Sequence, residues 1–393
     1  MVFSENNNVK ILYIAPSYIP SINANGVHVV NQCSAINDEG TSVTLITCRK
    51  IFSHKKHYSY LIKKYGEDVV KKIDSIKSFY YPFNTATTLF IGIYSFFYFL
   101  IYNNNNYILS RNLYASFFLL FLRSKNLVYE THQLEIGIRK KIQKILLNSK
   151  KTKLVLISKE LKKHLENYHN CKIIKAIILH DAAPKNIKIL SNSEKNMILT
   201  NRKIPYLDYE TINGYFGQLY EGRGIENIIK IAQKLPNDLF LIYGGSFDDV
   251  KKRKEKNNLY NVKYMGAVDH PEALLMMQTI DILLMPYQEN VSIGQKGHDT
   301  SAWMSPMKMF EYMSSNSAII SSDHKVLKEV LSHEKNALIF DKNNYLDWVE
   351  GIKRLKKNID LMDKIKKQSY EDYENLYTWN IRGKKIIKFM KIN

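Results

Sequence analysis

The chain has 393 residues, of which 45% are hydrophobic and 24% are charged, as in a soluble globular protein with room for two domains. Lys and Arg outnumber Asp and Glu by 57 to 37, so the formal net charge is +20 and an anionic partner is expected. The three cysteines (Cys33, Cys48 and Cys171) lie far apart with no CxxC pair, which argues against a disulfide framework and fits a reducing cytoplasm.

The basic charge favours an anionic membrane surface over nucleic acid. No helix-turn-helix, zinc-finger or RNP-type motif accompanies the lysines, so we expect no nucleic-acid partner. The first residues, MVFSENNNVKILYIAPSY, lack a basic segment followed by an apolar run, so we expect no secretory signal.

The first half alternates short apolar runs with longer mixed segments, which is typical of βα units and a parallel sheet. An amphipathic helix is predicted from about residue 27 to residue 37. The predicted strands are 9–15, 41–48, 78–82, 107–110, 126–131, 153–158 and 176–180.

One segment of this half has no charged residue from 78 to 110, and its 89–102 part, LFIGIYSFFYFLIY, is almost wholly apolar. It is shorter than the roughly 20 residues that span a bilayer. Two interpretations stay open: a buried helix of the first domain, or a helix whose aromatic face enters the membrane interface beside the basic stretch 54–72.

The second half repeats the α/β pattern after a segment of low hydrophobicity at 191–212, which predicts a linker. A helix over 225–235, another from residue 271, and a helix between the last two strands are expected. The predicted strands are 213–219, 238–245, 261–268, 281–287, 317–320 and 337–340.

The segment 305–340, SPMKMFEYMSSNSAIISSDHKVLKEVLSHEKNALIF, carries the clearest functional signal. It places Lys308 and Glu311 on the first turns of a helix, at the sheet edge where open α/β sheets bind ligands. Lys308 could meet a phosphate and Glu311 could accept hydrogen bonds from sugar hydroxyls. The same spacing also occurs in ordinary solvated helix pairs.

This segment closely resembles the donor-binding segment of retaining glycosyltransferases of family 4, which are two-domain enzymes of the GT-B fold. The resemblance implies two Rossmann-like α/β domains with parallel sheets facing a central cleft. It assigns 1–190 to an acceptor-binding domain, 191–212 to a hinge, 213–372 to a nucleotide-sugar-binding domain and 373–393 to a terminal helix that crosses back. Trp379 resembles a tryptophan often found in that helix.

The turn FGQLYEGRGIE resembles the "GRLxxxKG" element of this family, whose two cations hold the donor diphosphate. Arg223 matches the second cation, but Gln218 stands where the first is often found, and Lys308 is the candidate replacement. The resemblance further assigns donor binding to three positions at strand ends, Gly217, Gly244 and Val268.

A second departure concerns the Glu-x7-Glu motif of the family. Glu311 matches the second Glu, which binds the nucleotide ribose, whereas the first would fall at Trp303. The role of the first Glu is therefore absent or filled from the loop 288–302.

Two further positions follow predicted strands of the first half. His132, in VYETHQ, could contact a sugar hydroxyl or shuttle a proton, and we take it as the catalytic candidate, with Glu130 as a structural residue. Asn25 and Gly26 open a helix, where they either face donor phosphates or form an ordinary βα turn.

The sequence shows neither an Asp-x-Asp triad nor a His/Cys cluster with metal-ligand spacing, so we expect no metal and no cofactor. The resemblance implies transfer of a sugar from a nucleotide-sugar donor to a glycan or lipid-linked acceptor, with retention, at the inner face of the membrane. The alternatives are a nucleotide-sugar 2-epimerase and an inactive membrane-attached scaffold. Donor base, sugar and acceptor are not readable from the sequence.

Overall fold

The protein is described from a computed structural model that covers residues 9–21, 23–50, 53–80, 86–102, 107–122, 126–185, 187–292 and 299–392. The chain divides into two compact units. Met1–His180 and Trp379–Asn393 form the first, and Asp181–Thr378 forms the second.

The first unit contains a seven-stranded sheet whose paired strands all run parallel. Its central strands are buried on both faces, which explains their nearly continuous apolar sequence, whereas its two edge strands are partly exposed. The spatial order is β3-β2-β1-β4-β5-β6-β7. The strands are β1 (Lys10–Tyr18), β2 (Ser42–Arg49), β3 (Ser75–Tyr80), β4 (Tyr107–Ser110), β5 (Leu127–Thr131), β6 (Lys153–Leu156) and β7 (Ala176–Ile178).

The helices of this unit connect successive strands along the chain. They are α1 (Ala24–Asn37), α2 (His54–Tyr65), α3 (Glu67–Lys71), α4 (Thr87–Ile101), α5 (Leu113–Leu122), α6 (Gly137–Asn148) and α7 (Lys159–His169).

Helix α4 has one buried and one exposed face, so it is not a wholly buried helix, and the interpretation as a membrane-interface helix stays a prediction. Ile91 and Phe99 are buried in the core beneath the sheet. Gly92 allows close packing on α5, since a Cβ there would lie 2.8 Å from the Tyr114 Cβ. The opposite face exposes Ile93 and Phe97, spaced one turn apart, at 43% and 55%.

The second unit contains a six-stranded parallel sheet in the order β10-β9-β8-β11-β12-β13. Its strands are β8 (Thr211–Phe216), β9 (Asp238–Tyr243), β10 (Val262–Gly266), β11 (Ile282–Met285), β12 (Ala318–Ser322) and β13 (Leu338–Phe340). Its helices are α8 (Asn192–Asn201), α9 (Ile225–Lys234), α10 (Phe247–Lys256), α11 (His270–Met277), α12 (Met307–Ser314), α13 (Tyr345–Lys357) and α14 (Ile359–Leu376). The prediction of two Rossmann-like domains with parallel sheets is confirmed.

The last helix, α15 (Trp379–Lys391), belongs to the first unit and packs on α1. Gly383 makes the close approach possible, since a Cβ there would already lie 3.0 Å from the Ala35 carbonyl oxygen. The predicted terminal segment 373–393 therefore includes the end of α14 as well as α15.

Two sequence predictions about elements are wrong. Most of the predicted linker 191–212 is ordered within the second unit, because Ser191 and Glu194 form a capping box that starts α8. The helix expected between the last two strands is a single 3-10 turn at Leu327–Glu329.

Candidate functional site

Glycines bring three strand ends of the second unit into close contact. A Cβ on Gly244 would lie 1.9 Å from the carbonyl oxygen of Gly217, and the Gly244 N–H donates to the carbonyl of Gly266 at 2.7 Å. All three glycines have positive φ, and none of them could carry a side chain without backbone strain. The backbone at the carboxyl ends of β8, β9 and β10 is therefore kept free of side chains.

Glycines also allow the tight backbone packing of the turn after β8, and this turn fixes the position of the Arg223 side chain. Side chains at Gly222 and Gly224 would lie 1.7 Å from the carbonyl oxygens of Asn290 and Pro286. Between them, Arg223 donates from Nε and Nη2 to the Ser292 carbonyl at 3.2 and 2.9 Å. The guanidinium is thereby held in one orientation at the start of α9.

Lys308 lies beside this turn. Its Nζ is 3.9 Å from the ring centroid of Tyr215 and 5.1 Å from that of Tyr287, and Arg223 lies 5.6 Å from the same Tyr287 ring. Burial, then repulsion by Arg223, holds the pKa of Lys308 well below its ordinary range. Two basic side chains thus converge at the carboxyl edge of the second sheet, where parallel α/β sheets bind ligands.

Glu311 lies one turn further along α12, and it is buried rather than on the exposed helix surface that its position suggested. Its side chain is 8% exposed, and its Oε1 lies 2.7 Å from Nε2 of His270. A carboxylate only accepts, so His270 donates. His270 comes from the first turn of α11, 41 residues earlier in the chain, and sequence reasoning missed it because nothing local links the two.

We call Gly217, Arg223, His270, Lys308 and Glu311 the second-unit site. Gly244 supports it through its contact with Gly217. Val268, also expected there, lies between β10 and α11, is half-buried and packs against the hydrophobic core of the second unit.

Trp303, at the position of the missing Glu, lies in a turn before α12, and residues 293–298 of the loop that was expected to compensate fall outside the described residues.

His132 follows β5 and belongs to a buried network in the first unit. Its Nε2 lies 2.8 Å from Oε1 of Glu130, and its Nδ1 lies 3.4 Å from Nη2 of Arg111. Because a carboxylate only accepts, Nε2–H donates to Glu130, and the Nδ1 lone pair accepts from Arg111. Burial, followed by Arg111, lowers the pKa of His132 to about 4, so the ring is neutral at neutral pH.

Glu130 is the centre of this network. His28 Nε2 lies 3.2 Å from its Oε1, and Arg382 of α15 donates from Nη2 to the same oxygen at 2.9 Å. Burial alone would raise the pKa of Glu130, but Arg382 and the two histidines outweigh it and hold the pKa well below its ordinary range. Arg382 also donates to Gln32 and to the His180 carbonyl. We call His28, Arg111, Glu130, His132 and Arg382 the first-unit network.

The fold also brings together a possible ligand set for a metal that the sequence spacing did not predict. Single ligand atoms of His28, Glu130 and His132 lie within 4.8 Å of one another. The guanidinium of Arg382 already bonds to the shared carboxylate oxygen, so a metal ion there would lie close to another cation. The residues present therefore fit a Glu–Arg ion pair better than a metal centre.

Asn25 and Gly26 lie in the first turn of α1. A Cβ on Gly26 would lie 2.7 Å from the Tyr65 hydroxyl, so packing within the first unit accounts for this glycine. Asn25 is exposed.

Comparison with known proteins places these sites in a wider context. Residues 199–372 match the family model described as glycosyl transferases group 1. An uncharacterized glycosyltransferase of Methanocaldococcus jannaschii is 26% identical over 254 residues, which are 63% of this chain and only 59% of that protein.

Solved structures share the fold over nearly their whole length. A glycosyltransferase from Rickettsia africae has a TM-score of 0.73 at 16% identity, with 98% of each chain covered. HepE from Anabaena in complex with UDP has a TM-score of 0.71 at 13% identity, covering 97% of this chain and 99% of its own. Sucrose-phosphate synthase from Thermosynechococcus elongatus has a TM-score of 0.72 at 14% identity, covering 97% and 98%. These likenesses show the GT-B fold.

Proposed function

We propose, from the match of residues 199–372 to the family model of glycosyl transferases group 1, that this protein is a retaining glycosyltransferase of the hexosyltransferase type. It moves a sugar from a nucleotide-sugar donor to a hydroxyl of a glycan or lipid-linked acceptor. The products serve surface polysaccharide or glycoconjugate biosynthesis. HepE, a protein of the same fold, binds UDP and UDP-glucose, which supports a nucleotide-sugar donor.

The observation that carries the proposal is the pair of cations at the edge of the second sheet. Arg223 and Lys308 both lie over the Tyr287 ring, beside a backbone turn that Gly217 keeps open. A planar guanidinium and a lysine suit a diphosphate, the first by bidentate hydrogen bonds and the second as a point charge. Glu311, oriented by His270, accepts hydrogen bonds from the ribose.

This arrangement stabilises the leaving group. Cleavage of the glycosyl–phosphate bond leaves an additional negative charge on the nucleoside diphosphate, and fixed cations in a buried site lower the free energy of that state. The same cations replace the divalent metal that other transferases use, so we propose that activity does not depend on a metal. In the first-unit network, the neutral ring of His132 is assigned to a sugar hydroxyl.

An assay with a panel of UDP- and GDP-sugars tests this function. Glycosylated acceptor with free nucleoside diphosphate, unchanged by EDTA, is the expected result. Epimerised donor without transfer would instead identify a 2-epimerase, and no reaction with any donor would favour the inactive scaffold. Loss of activity in EDTA with rescue by magnesium or manganese would contradict the role given to the cations.

Arg223→Ala tests the site itself. Loss of one charge-assisted interaction should cost roughly 1.5–3 kcal/mol, so donor affinity should fall about ten- to a hundredfold. Arg354→Ala is the matched control, because Arg354 is half-exposed and pairs with surface Glu334. Unchanged donor affinity in Arg223→Ala would place the diphosphate elsewhere.

We also propose peripheral attachment to an anionic membrane, at its inner face. Ile93, Phe97 and Leu100 form an exposed apolar stripe on α4, and Phe121 at the end of α5 is 73% exposed. These residues lie in the same unit as α6. Helix α6 packs on α5 and carries basic residues. In the part of the chain that the structure describes, no helix combines the length and apolarity needed to cross a bilayer. Aromatic insertion supported by lysines is the corresponding attachment mode.

A further inference from the structure

The ammonium group of Lys308 has an unusual environment for a charged side chain. Its Nζ is buried, and among the described residues no atom accepts a hydrogen bond from it. A Cβ on Gly217 would lie only 2.7 Å from it, so the nitrogen lies directly against the backbone turn. A charged ammonium in such a place loses its water shell and gains no acceptor in return.

The surrounding groups do not supply the missing acceptor. The rings of Tyr215 and Tyr287 attract a cation, but an interaction of this kind is weaker than the loss of hydration of a buried ammonium. Among the described residues, the ionisable groups that act on Lys308 are Tyr215 from β8, Arg223 before α9, Tyr287 after β11 and Glu311 from α12. His270 from α11 acts on it indirectly, because it bonds to Glu311.

Only one of these groups is an anion that favours the charged form. Glu311 attracts the ammonium, but its Oε1 already accepts a hydrogen bond from His270, and Arg223 repels Lys308. The tyrosine hydroxyls are neutral, because burial raises the pKa of Tyr215 and of Tyr287. The empty site therefore favours the amine form of Lys308.

We propose that Lys308 is uncharged in the empty site and takes up one proton when a diphosphate enters it. The proton comes from the buffer and forms the third N–H bond of the ammonium, and the diphosphate oxygens become its acceptors. The inference rests on the proposed function, because it places the donor diphosphate at the Gly217 turn. Donor binding is then linked to pH through a lysine rather than a histidine.

The physical basis is that a bound diphosphate adds negative charge around the Lys308 nitrogen, where Arg223 alone is repulsive. An anion within about 4–6 Å favours the charged form of a lysine, and so does a hydrogen bond to that form. A diphosphate supplies both at once and also neutralises Arg223. Linkage then requires that donor affinity weaken as pH rises, by up to about tenfold per pH unit for one proton taken up.

Titration calorimetry at pH 7.5 tests this directly, with whichever of UDP-glucose and GDP-mannose binds. Neither sugar diphosphate has a phosphate group that titrates near this pH, so any exchange of protons with the buffer reports a change in the protonation of the protein. The binding enthalpy is measured in buffers of different ionisation enthalpy, and the slope gives the number of protons. We expect uptake of about one proton by the wild type.

Three variants make the result specific. Lys308→Arg should bind the donor with no proton uptake, because an arginine is already charged. Lys308→Met should bind about ten- to a hundredfold more weakly, also without uptake. His270→Gln should keep the uptake, since it removes the histidine of the second-unit site while leaving the lysine in place.

Two outcomes would overturn the inference in different ways. Donor binding by the wild type with no proton uptake, or uptake that persists in Lys308→Arg, would refute the inference and leave the proposed function standing. Failure of the wild type to bind either nucleotide sugar would remove the proposed donor site together with the inference. Lys308→Arg decides the question even if Lys308→Met does not fold.

Discussion

At the scale of single residues, the side chain of Glu311 offers a test of the second-unit site. Glu311→Gln keeps the shape of the side chain but removes the charge that holds His270 Nε2 at 2.7 Å. We expect nucleotide-sugar turnover to fall at least about tenfold, from loss of charged hydrogen bonds to the ribose, with little change in melting temperature. Steady-state kinetics with varied donor and a thermal melt would measure both.

Glu350→Gln is the control for this variant, because Glu350 is an exposed carboxylate paired with Lys353 one turn away. A Glu311→Gln protein that loses its cooperative melting transition, yet retains full activity per folded molecule, would identify Glu311 as a structural residue.

The lowered pKa of His132 predicts how the stability of the folded protein depends on pH. The folded protein holds the pKa of His132 at about 4, below the ordinary 6.5, so between these values the unfolded chain binds a proton that the folded chain does not. Stability should therefore fall as pH drops from about 6.5 to about 4, and the lowered pKa of Glu130 acts in the same direction at the acid end. Melting temperatures across this range would show it.

His132→Gln should lose less stability over the same range, because glutamine binds no proton in either state. His333→Gln, which changes a half-exposed histidine, should follow the wild-type curve. Equal pH dependence in wild type and His132→Gln would mean that other groups control acid stability.

At the scale of elements, α15 contributes the buried charge of Arg382 to the first unit. Arg382→Met leaves Glu130 buried without its strongest partner, and breaking a buried ion pair from one side typically costs about 3–5 kcal/mol. Adding Glu130→Gln to Arg382→Met should recover part of that loss, because no charge then remains unpaired. Urea unfolding of the two single variants and the double variant would measure the coupling.

Lys388→Met, an exposed change on the same helix, should be nearly neutral. Additive losses in the double variant would show that Arg382 and Glu130 act independently, against the network described above.

The strands were predictable, whereas most of the side-chain pairs were not. Buried parallel strands appear as continuous apolar runs, so a run such as 107–110 gave β4 with the bounds that the structure has. Lys308 and Glu311 could be linked because one helical turn separates them. His270 with Glu311, and Arg382 with Glu130, are 41 and 252 residues apart, and only tertiary packing brings each pair together.

The error at α8 has a different cause. Its sequence is polar, and low hydrophobicity was taken as the property of a linker. The signal that could have found the helix is local: Ser191 followed three residues later by Glu194 is a capping box. Hydrophobic periodicity cannot reveal a helix with a single buried residue, which here is Leu199. A capping signal can, because it depends only on the residues at the start of the helix.

At the scale of the whole molecule, the net charge and the apolar stripe predict one behaviour. A formal charge of +20 attracts an anionic surface from solution, and the exposed residues of α4 can then enter the interface. Basic residues near such a surface contribute about 1 kcal/mol each. Neither contribution requires a spanning segment.

We therefore expect the protein to bind vesicles that contain anionic lipid and not neutral vesicles, and to be released by salt. Raising the salt concentration from 0.1 M to 1 M shortens the Debye length from about 10 Å to about 3 Å, which removes the electrostatic contribution to vesicle binding. Flotation with vesicles of both kinds would measure it. Equal recovery in the unbound fraction with both would show that the charge is only compositional, and retention through high salt and alkaline carbonate would show a stably inserted segment.

Substitution of the stripe separates its contribution from that of the charge. Changing Ile93, Phe97 and Leu100 together to Ser should reduce the fraction bound at 0.1 M salt, because shallow aromatic and aliphatic insertion is lost while the net charge is unchanged. Phe247→Ser is the matched control, since Phe247 is 82% exposed but lies in the second unit, away from α4 in the chain. If the triple variant binds as well as this control, electrostatics alone accounts for attachment, and the exposed face of α4 must have another partner.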